Sequence, residues 1–147
     1  QHEAFRGVLE RHGAYLHGVS APTQAEKLKI LKQADVIFTV AARGVRIIEK
    51  DVINKLKPTK VLIDTNAVAP LGIEGLELND YMKELAPKIY GIGALIIGDL
   101  KYKLQKELLK EAYETQTKKV YDYKYALFKA RDMLRETAAL KITRKQG

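Results

Sequence analysis

Asp64, Thr65 and Asn66 stand directly after the apolar run Val61-Leu62-Ile63 and directly before a turn-rich stretch that holds Pro70, Gly72 and Gly75. Open α/β sheets place their ligands beyond the carboxyl ends of buried strands, and there a carboxylate and a carboxamide can orient a flat polar group by hydrogen bonding. Asp64 and Asn66 are therefore candidate binding residues. The same two side chains can instead close an Asx-type turn ahead of Pro70. The grammar recurs twice. Val36-Ile37-Phe38-Thr39-Val40 runs into Ala41-Ala42-Arg43-Gly44, and the stretch 89–97, interrupted by Gly91 and Gly93, runs into Gly98-Asp99-Leu100-Lys101. At Thr39, Ala41, Ala42 and Gly44 small side chains permit close approach of a dinucleotide, although tight helix-to-strand packing asks for the same residues. Gly91, Gly93 and Gly98 mark either a bulge or a place where a ligand presses on the backbone. Lys101 and Lys103 fall in the first turn of a helix predicted to begin near Asp99, where the macrodipole disfavours a cation by up to about 1 kcal/mol. Facing a phosphate, a carboxylate or a carbonyl would offset that cost for Lys101, and solvent exposure is the alternative. Lys103 reads as a solvated side chain.

The elements that must position these residues alternate. Residues 3–11 have helical spacing and stop at Gly13, and residues 14–19 read as a short strand. Thr23 and Glu26 have the spacing of a capping box for a helix that extends to about Gln33. A strand at 35–40, a helix at 45–56 stopped near Pro58, and a strand at 60–63 follow. Residues 80–85 read as a short helix with Asn79 as its cap and Pro87 as its end. The stretch 89–97 is the third strong strand. Two helices close the chain, at about 99–115 with Leu100, Leu104, Leu108 and Ala112 on one face, and at about 118–139 with a heptad-like seam from Val120 to Leu134. Strands separated by helices imply an α/β fold with a doubly wound, mostly parallel sheet. The glycine-rich GxGxxG turn that normally opens a dinucleotide-binding sheet is absent from these residues.

The 147 residues, 46% of them hydrophobic, are enough for one core. With no cysteine, disulfides and thiolate metal sites are excluded, and a reducing, cytoplasmic setting is expected. No apolar stretch reaches the roughly 20 residues of a membrane span. The formal charge of +8 comes from 26 basic and 18 acidic side chains, but lysines alternate with glutamates along the predicted helices. That pattern reads as solvated faces and argues against nucleic acid as a partner. His2, His12 and His17 lack metal-ligand spacing, and Ser20, the one serine, has no evident base, so neither a metal site nor a serine nucleophile is expected.

Taken together, Ile37-Phe38-Thr39 with Gly44, Asp64 with Asn66-Ala67 and Pro70-Leu71-Gly72-Ile73, and Gly93-Ala94-Leu95 with Gly98 and Leu100-Lys101 resemble the NADP-dependent methylene-tetrahydromethanopterin dehydrogenases. The resemblance spans roughly residues 34–104. It implies a Rossmann-like NADP-binding domain over 1–147 that lacks its first two strands as well as its glycine-rich turn, with residues 14–19 as strand three. It also implies an amino-terminal pterin-binding domain, or a partner chain, facing this one across a cleft. A reduced pterin would be the substrate and NADP the cofactor. Lys101, at the family's Gly-Gly-Leu-Lys position, would lie by nicotinamide and substrate. Thr39, Ala41, Ala42, Gly44, Asp64, Asn66, Gly93 and Gly98 would line the cofactor. The pattern departs at Arg43, where the family is apolar, at Ala69, where it has proline, and at Glu74 and Asp99, where it has glycine. A reading from another class remains beside it: a noncatalytic α/β module that forms homo-oligomers through the 118–140 helix and an exposed sheet edge.

Overall fold

The computed structural model describes residues 13–143. Its elements are α1 (Gln24–Leu31), β1 (Val36–Thr39), α2 (Lys50–Asn54), β2 (Lys60–Asp64), β3 (Tyr81–Ala86), β4 (Ile89–Ile92), α3 (Ala94–Glu114) and α4 (Tyr123–Thr143). The strands form one sheet in the order β1-β2-β4-β3. The first three run parallel, and β3 lies antiparallel to β4 at the edge. The fold class is therefore the expected one: α/β with a mostly parallel sheet.

The capping box is formed, with the Thr23 hydroxyl accepting from the Glu26 amide and the Glu26 carboxylate accepting from the Thr23 amide. Inward-facing Ile37, Leu62 and Ile89 meet Val52, Ile53 and Leu56 in one core, against which Leu28 and Leu31 pack from α1. Lys60 is buried in this layer. Its ammonium donates to the Ala34 and Lys32 carbonyls, at 2.5 and 3.2 Å, just past the end of α1. Unpaired carbonyls at a helix carboxyl end are suitable acceptors for a cation.

Four expectations are corrected. Residues 14–19 form no strand. They carry no regular secondary structure and are exposed, with Tyr15, Leu16 and Val19 in water and no backbone pairing to another strand. β1 is accordingly an edge of the described sheet. The helix expected at 45–56 contracts to Lys50–Asn54, since the Ile47 and Ile48 amides donate to the Gly72 carbonyl and Ile48 bridges Ile73. The helix expected at 80–85 is instead β3. Its residues are good helix formers, but the turn at Pro87-Lys88, with Lys88 at a φ of 59°, folds them back onto β4, and pairing overrides propensity. The strand expected at 89–97 ends at Ile92, and α3 begins at Ala94 instead of near residue 99. The last expected helix is present but starts later, at Tyr123. The helix expected at 3–11 lies outside the described residues.

α3 and α4 pack together, with Leu100, Leu104 and Leu108 on the less exposed side of α3. Glu111 ties the pair. Its carboxylate accepts from Lys119 and from the Tyr125 hydroxyl and sits 3.3 Å from the Lys129 ammonium, while Lys119 also stacks 4.1 Å from the centre of the Tyr125 ring. The hydrogen bond from Lys119, then that from Tyr125, hold the Glu111 carboxyl down at about 2 against the partial burial that raises it, and Lys129 adds to the lowering. A carboxyl with a folded pKa below its unfolded one binds fewer protons when folded. Its contribution is therefore complete above its ordinary pKa and is lost as pH falls toward about 2. We expect near-ultraviolet circular dichroism of the tyrosines to report loosening of the helix pair across that acid window. Glu111→Gln should remove the acid dependence; an unchanged acid profile in the variant would assign it to other groups.

Candidate binding cleft

Thr39 and Asp64 are register partners at the carboxyl ends of β1 and β2, and both are almost fully buried, at 3% and 1% exposure. Pairing in a parallel sheet puts both side chains on one face. The Thr39 hydroxyl donates to Asp64 Oδ1 at 2.8 Å. The same oxygen accepts the Asn66 amide at 3.0 Å, and Oδ2 accepts the Ile73 amide at 3.3 Å. The carboxylate thus closes the Asx turn and also holds the far end of the loop, nine residues on. Asn66 continues the knot: its Oδ1 accepts from the Val68 amide and its Nδ2 donates to the Pro70 carbonyl. Gly72 must be glycine here, because a Cβ would lie 2.7 Å from Asp64 Oδ1 and 3.0 Å from Thr39 Oγ1.

The loop after β1 is fastened to the loop after β2. The Gly72 carbonyl accepts from Ile47 and Ile48, the Ile48 carbonyl from Glu74, and the Leu71 carbonyl from Arg46 Nε at 2.6 Å. Gly44, at a φ of 73°, lies against the Ala69 carbonyl, where an added Cβ would sit at 3.3 Å. The two loops therefore form one platform. A cleft of about 410 Å³ opens over it, and Arg46, Ala67, Ala69, Pro70 and Leu71 line it together with Leu76, Glu77 and Leu78.

The expected site residues distribute as follows. Thr39, Asp64 and Asn66 come together as the knot beneath the platform. Ala41 and Ala42 lie in the loop after β1, half-buried and exposed, and Gly44 joins the two loops. Gly93 is buried under the 77–80 turn. Its amide donates to the Asp80 carbonyl, and a Cβ would fall 2.1 Å from the Glu77 carbonyl oxygen, so packing alone requires this glycine. Gly98 is an exposed position within α3 with nothing within 4 Å of a Cβ. Lys101 does not stand in a first helical turn. Seven residues into α3, about 10 Å along its axis, it is solvent-exposed. The local cause is the early start of the helix at Ala94, which carries Gly98 and Lys101 away from the strand ends. Asp99 pairs with Lys103, at 2.6 Å, and not with Lys101. Arg43 is exposed. Sequence reasoning missed Arg46, although a lone cation inside the apolar run Val45-Arg46-Ile47-Ile48 was a usable signal. Among the described residues no group of three or more acidic or histidine side chains could hold a metal ion, and no helix is long and apolar enough to cross a membrane.

No family model matches the sequence. Among solved structures, a transhydrogenase from Sinorhizobium meliloti aligns over 48% of this chain and 22% of its own, at a TM-score of 0.41 and 19% identity. Two curated proteins of Methylorubrum extorquens are similar in sequence. The NAD(P)-dependent methylenetetrahydromethanopterin dehydrogenase is 30% identical over 117 residues, 79% of this chain and 39% of its own length. The bifunctional protein MdtA is 30% identical over 108 residues, 74% of this chain and 37% of its own. The chain spans less than two fifths of the length of either relative, and its similarity is to that portion of each.

Proposed function

We propose that the chain works in an NADP-dependent dehydrogenase that moves a hydride between the cofactor and the methylene carbon of a reduced pterin or folate, leaving the methenyl form. The observation that carries the reading is the platform at the carboxyl ends of β1 and β2, in a chain similar to a protein named as an NAD(P)-dependent methylenetetrahydromethanopterin dehydrogenase. The residues present suit a flat dinucleotide ring. Ala41, Ala42, Gly44, Ala67 and Ala69 leave the platform low and apolar, so a ring can approach the backbone. When bound, NADP supplies the hydride-accepting nicotinamide. The chain's own residues bind and orient: Thr39, Asp64 and Asn66 fix the loop from below, and the apolar wall excludes water. Orientation of this kind suits a transfer that needs no proton abstracted, because the substrate nitrogen lone pair stabilises the cation that develops.

In this reading the opposite wall of the cleft comes from a pterin-binding domain or a partner chain. Lys101 acts only on a ligand or partner that reaches the second turn of α3. A cytoplasmic setting and a homo-oligomer belong to the same proposal. The latter draws support from the exposed Leu109, Tyr113, Leu127, Phe128 and Leu134 along the two long helices.

Titration of the isotopically labelled chain with NADPH, and separately with methylene-tetrahydromethanopterin, tests the reading by nuclear magnetic resonance. Lacking a second wall, the chain should bind NADPH more weakly than about 1 μM, with shifts confined to the amides of residues 39–48 and 64–78. NADPH at millimolar concentration leaving those amides unmoved would end the proposal.

A further inference from the structure

We infer that Arg46 is an anion-recognition residue, which reads a phosphate or carboxylate arm of the ligand that occupies the cleft. The inference rests on the proposed function for the identity of that ligand, but its physical basis is separate. Arg46 is the one basic side chain among the residues that bound the cleft, and Glu77 is the one acidic side chain there. Its side chain is only 32% exposed.

Its position is built. Nε donates to the Leu71 carbonyl at 2.6 Å, which fixes the plane of the guanidinium against the platform. Glu74 lies at 3.7 Å from Nη1, too far for a hydrogen bond, and its other oxygen is engaged by the Lys50 amide at 2.7 Å. Among the described residues Leu71 and Glu74 are the partners of this side chain. A guanidinium has five donors in a rigid fork that matches a carboxylate or phosphate. With one donor used for anchoring, the outer Nη edge keeps capacity for an incoming anion, at a partly desolvated place where the pairing is stronger than in water. Arg43, three residues earlier, is exposed and lacks any such anchor.

Two ligand parts share this chemistry: the phosphates of the dinucleotide and the acidic tail of the reduced pterin or folate. Wild-type chain, Arg46→Gln and Arg46→Lys are titrated by nuclear magnetic resonance with inorganic pyrophosphate, NADPH, tetrahydrofolate and the tail-less 6-methyl-tetrahydropterin. Thermal melting of each variant checks folding. Arg46→Gln should weaken pyrophosphate and one of the two larger ligands by about ten- to a hundredfold, with Arg46→Lys between. Loss for NADPH assigns the phosphate, and loss for tetrahydrofolate with the tail-less pterin unaffected assigns the carboxylate. Equal affinities in wild type and Arg46→Gln, or a uniform loss that includes the tail-less pterin, would overturn the inference while leaving the proposed function standing. Arg46-dependent pyrophosphate binding without any binding of NADPH or pterins would do the reverse.

Discussion

Asp64→Ala should destabilise the chain by about 3 to 5 kcal/mol, as expected for the loss of a buried hydrogen-bond network. Three donors converge on this carboxylate: the Thr39 hydroxyl, the Asn66 amide and the Ile73 amide. The two amides would be left buried and unsatisfied, at about 1 to 3 kcal/mol apiece before relaxation, whereas the Thr39 hydroxyl keeps the Ile63 carbonyl at 3.4 Å. Asp64→Asn separates shape from charge. An amide oxygen in the Oδ1 position keeps two of the three hydrogen bonds. The amide nitrogen then faces the Ile73 donor, and the expected loss falls to about 1 to 2 kcal/mol. Urea melts of both variants, with Thr39→Val and the Thr39→Val/Asp64→Asn double variant to measure coupling, check the ordering. Equal small losses for Ala and Asn would mean that the loop rehydrates freely. The same variants bear on function, because the loop tied by Asp64 carries Ala67, Ala69 and Pro70 into the cleft. Ligand affinity should therefore fall with loop order even though the carboxylate itself is consumed by internal hydrogen bonds.

That arrangement also shows how far the sequence could be read. Strand ends with a carboxylate and a small hydroxyl residue are visible in Val61-Leu62-Ile63-Asp64 and Ile37-Phe38-Thr39, because buried parallel strands need an apolar run and little else. The register that pairs Thr39 with Asp64 is a tertiary fact, so whether Asp64 faces a ligand or its own loop was open until the partners were seen. The capping box of α1 was legible because Thr23 and Glu26 satisfy each other within one turn. The segment 45–49 was not, because its apolar spacing is helical while the Ile47 and Ile48 amides are taken by Gly72, twenty-four and more residues away. Nor was β3. Tyr81-Met-Lys-Glu-Leu-Ala has the composition of a helix, and only the turn at Pro87-Lys88 and pairing to β4 make it a strand. Tertiary pairing won in both places, and the displaced boundary at residue 93 moved Gly98 and Lys101 with it.

Gly93→Ala is the second change with a large expected effect, and its cause lies in the backbone. A strand must become a helix within one residue, and Gly93 does this with ordinary dihedrals, φ −80° and ψ 159°, so conformational strain is not the reason for glycine. The reason is proximity: the 77–80 turn lies across this position. An added Cβ would sit 2.1 Å from the Glu77 carbonyl oxygen and 2.4 Å from that of Leu78. Neither atom can swing away as a side-chain tip would. The Leu78 carbonyl accepts the Leu95 amide, and the turn is held by the Glu77 amide donating to Asp80. Relief therefore requires moving the turn or the start of α3, and either breaks the hydrogen bonds that join them. We expect a loss of about 3 kcal/mol or more, at the upper end for overpacking, with amide exchange at 77–80 and 93–96 accelerated ahead of the rest. Gly98→Ala is the internal control. That position is exposed, helical and free of neighbours within 4 Å, so alanine should stabilise by up to about 1 kcal/mol. A chain that tolerates alanine at 93 as well as at 98 would place the turn elsewhere. It would also remove Leu76, Glu77 and Leu78 from the lining of the cleft, since their position depends on that packing.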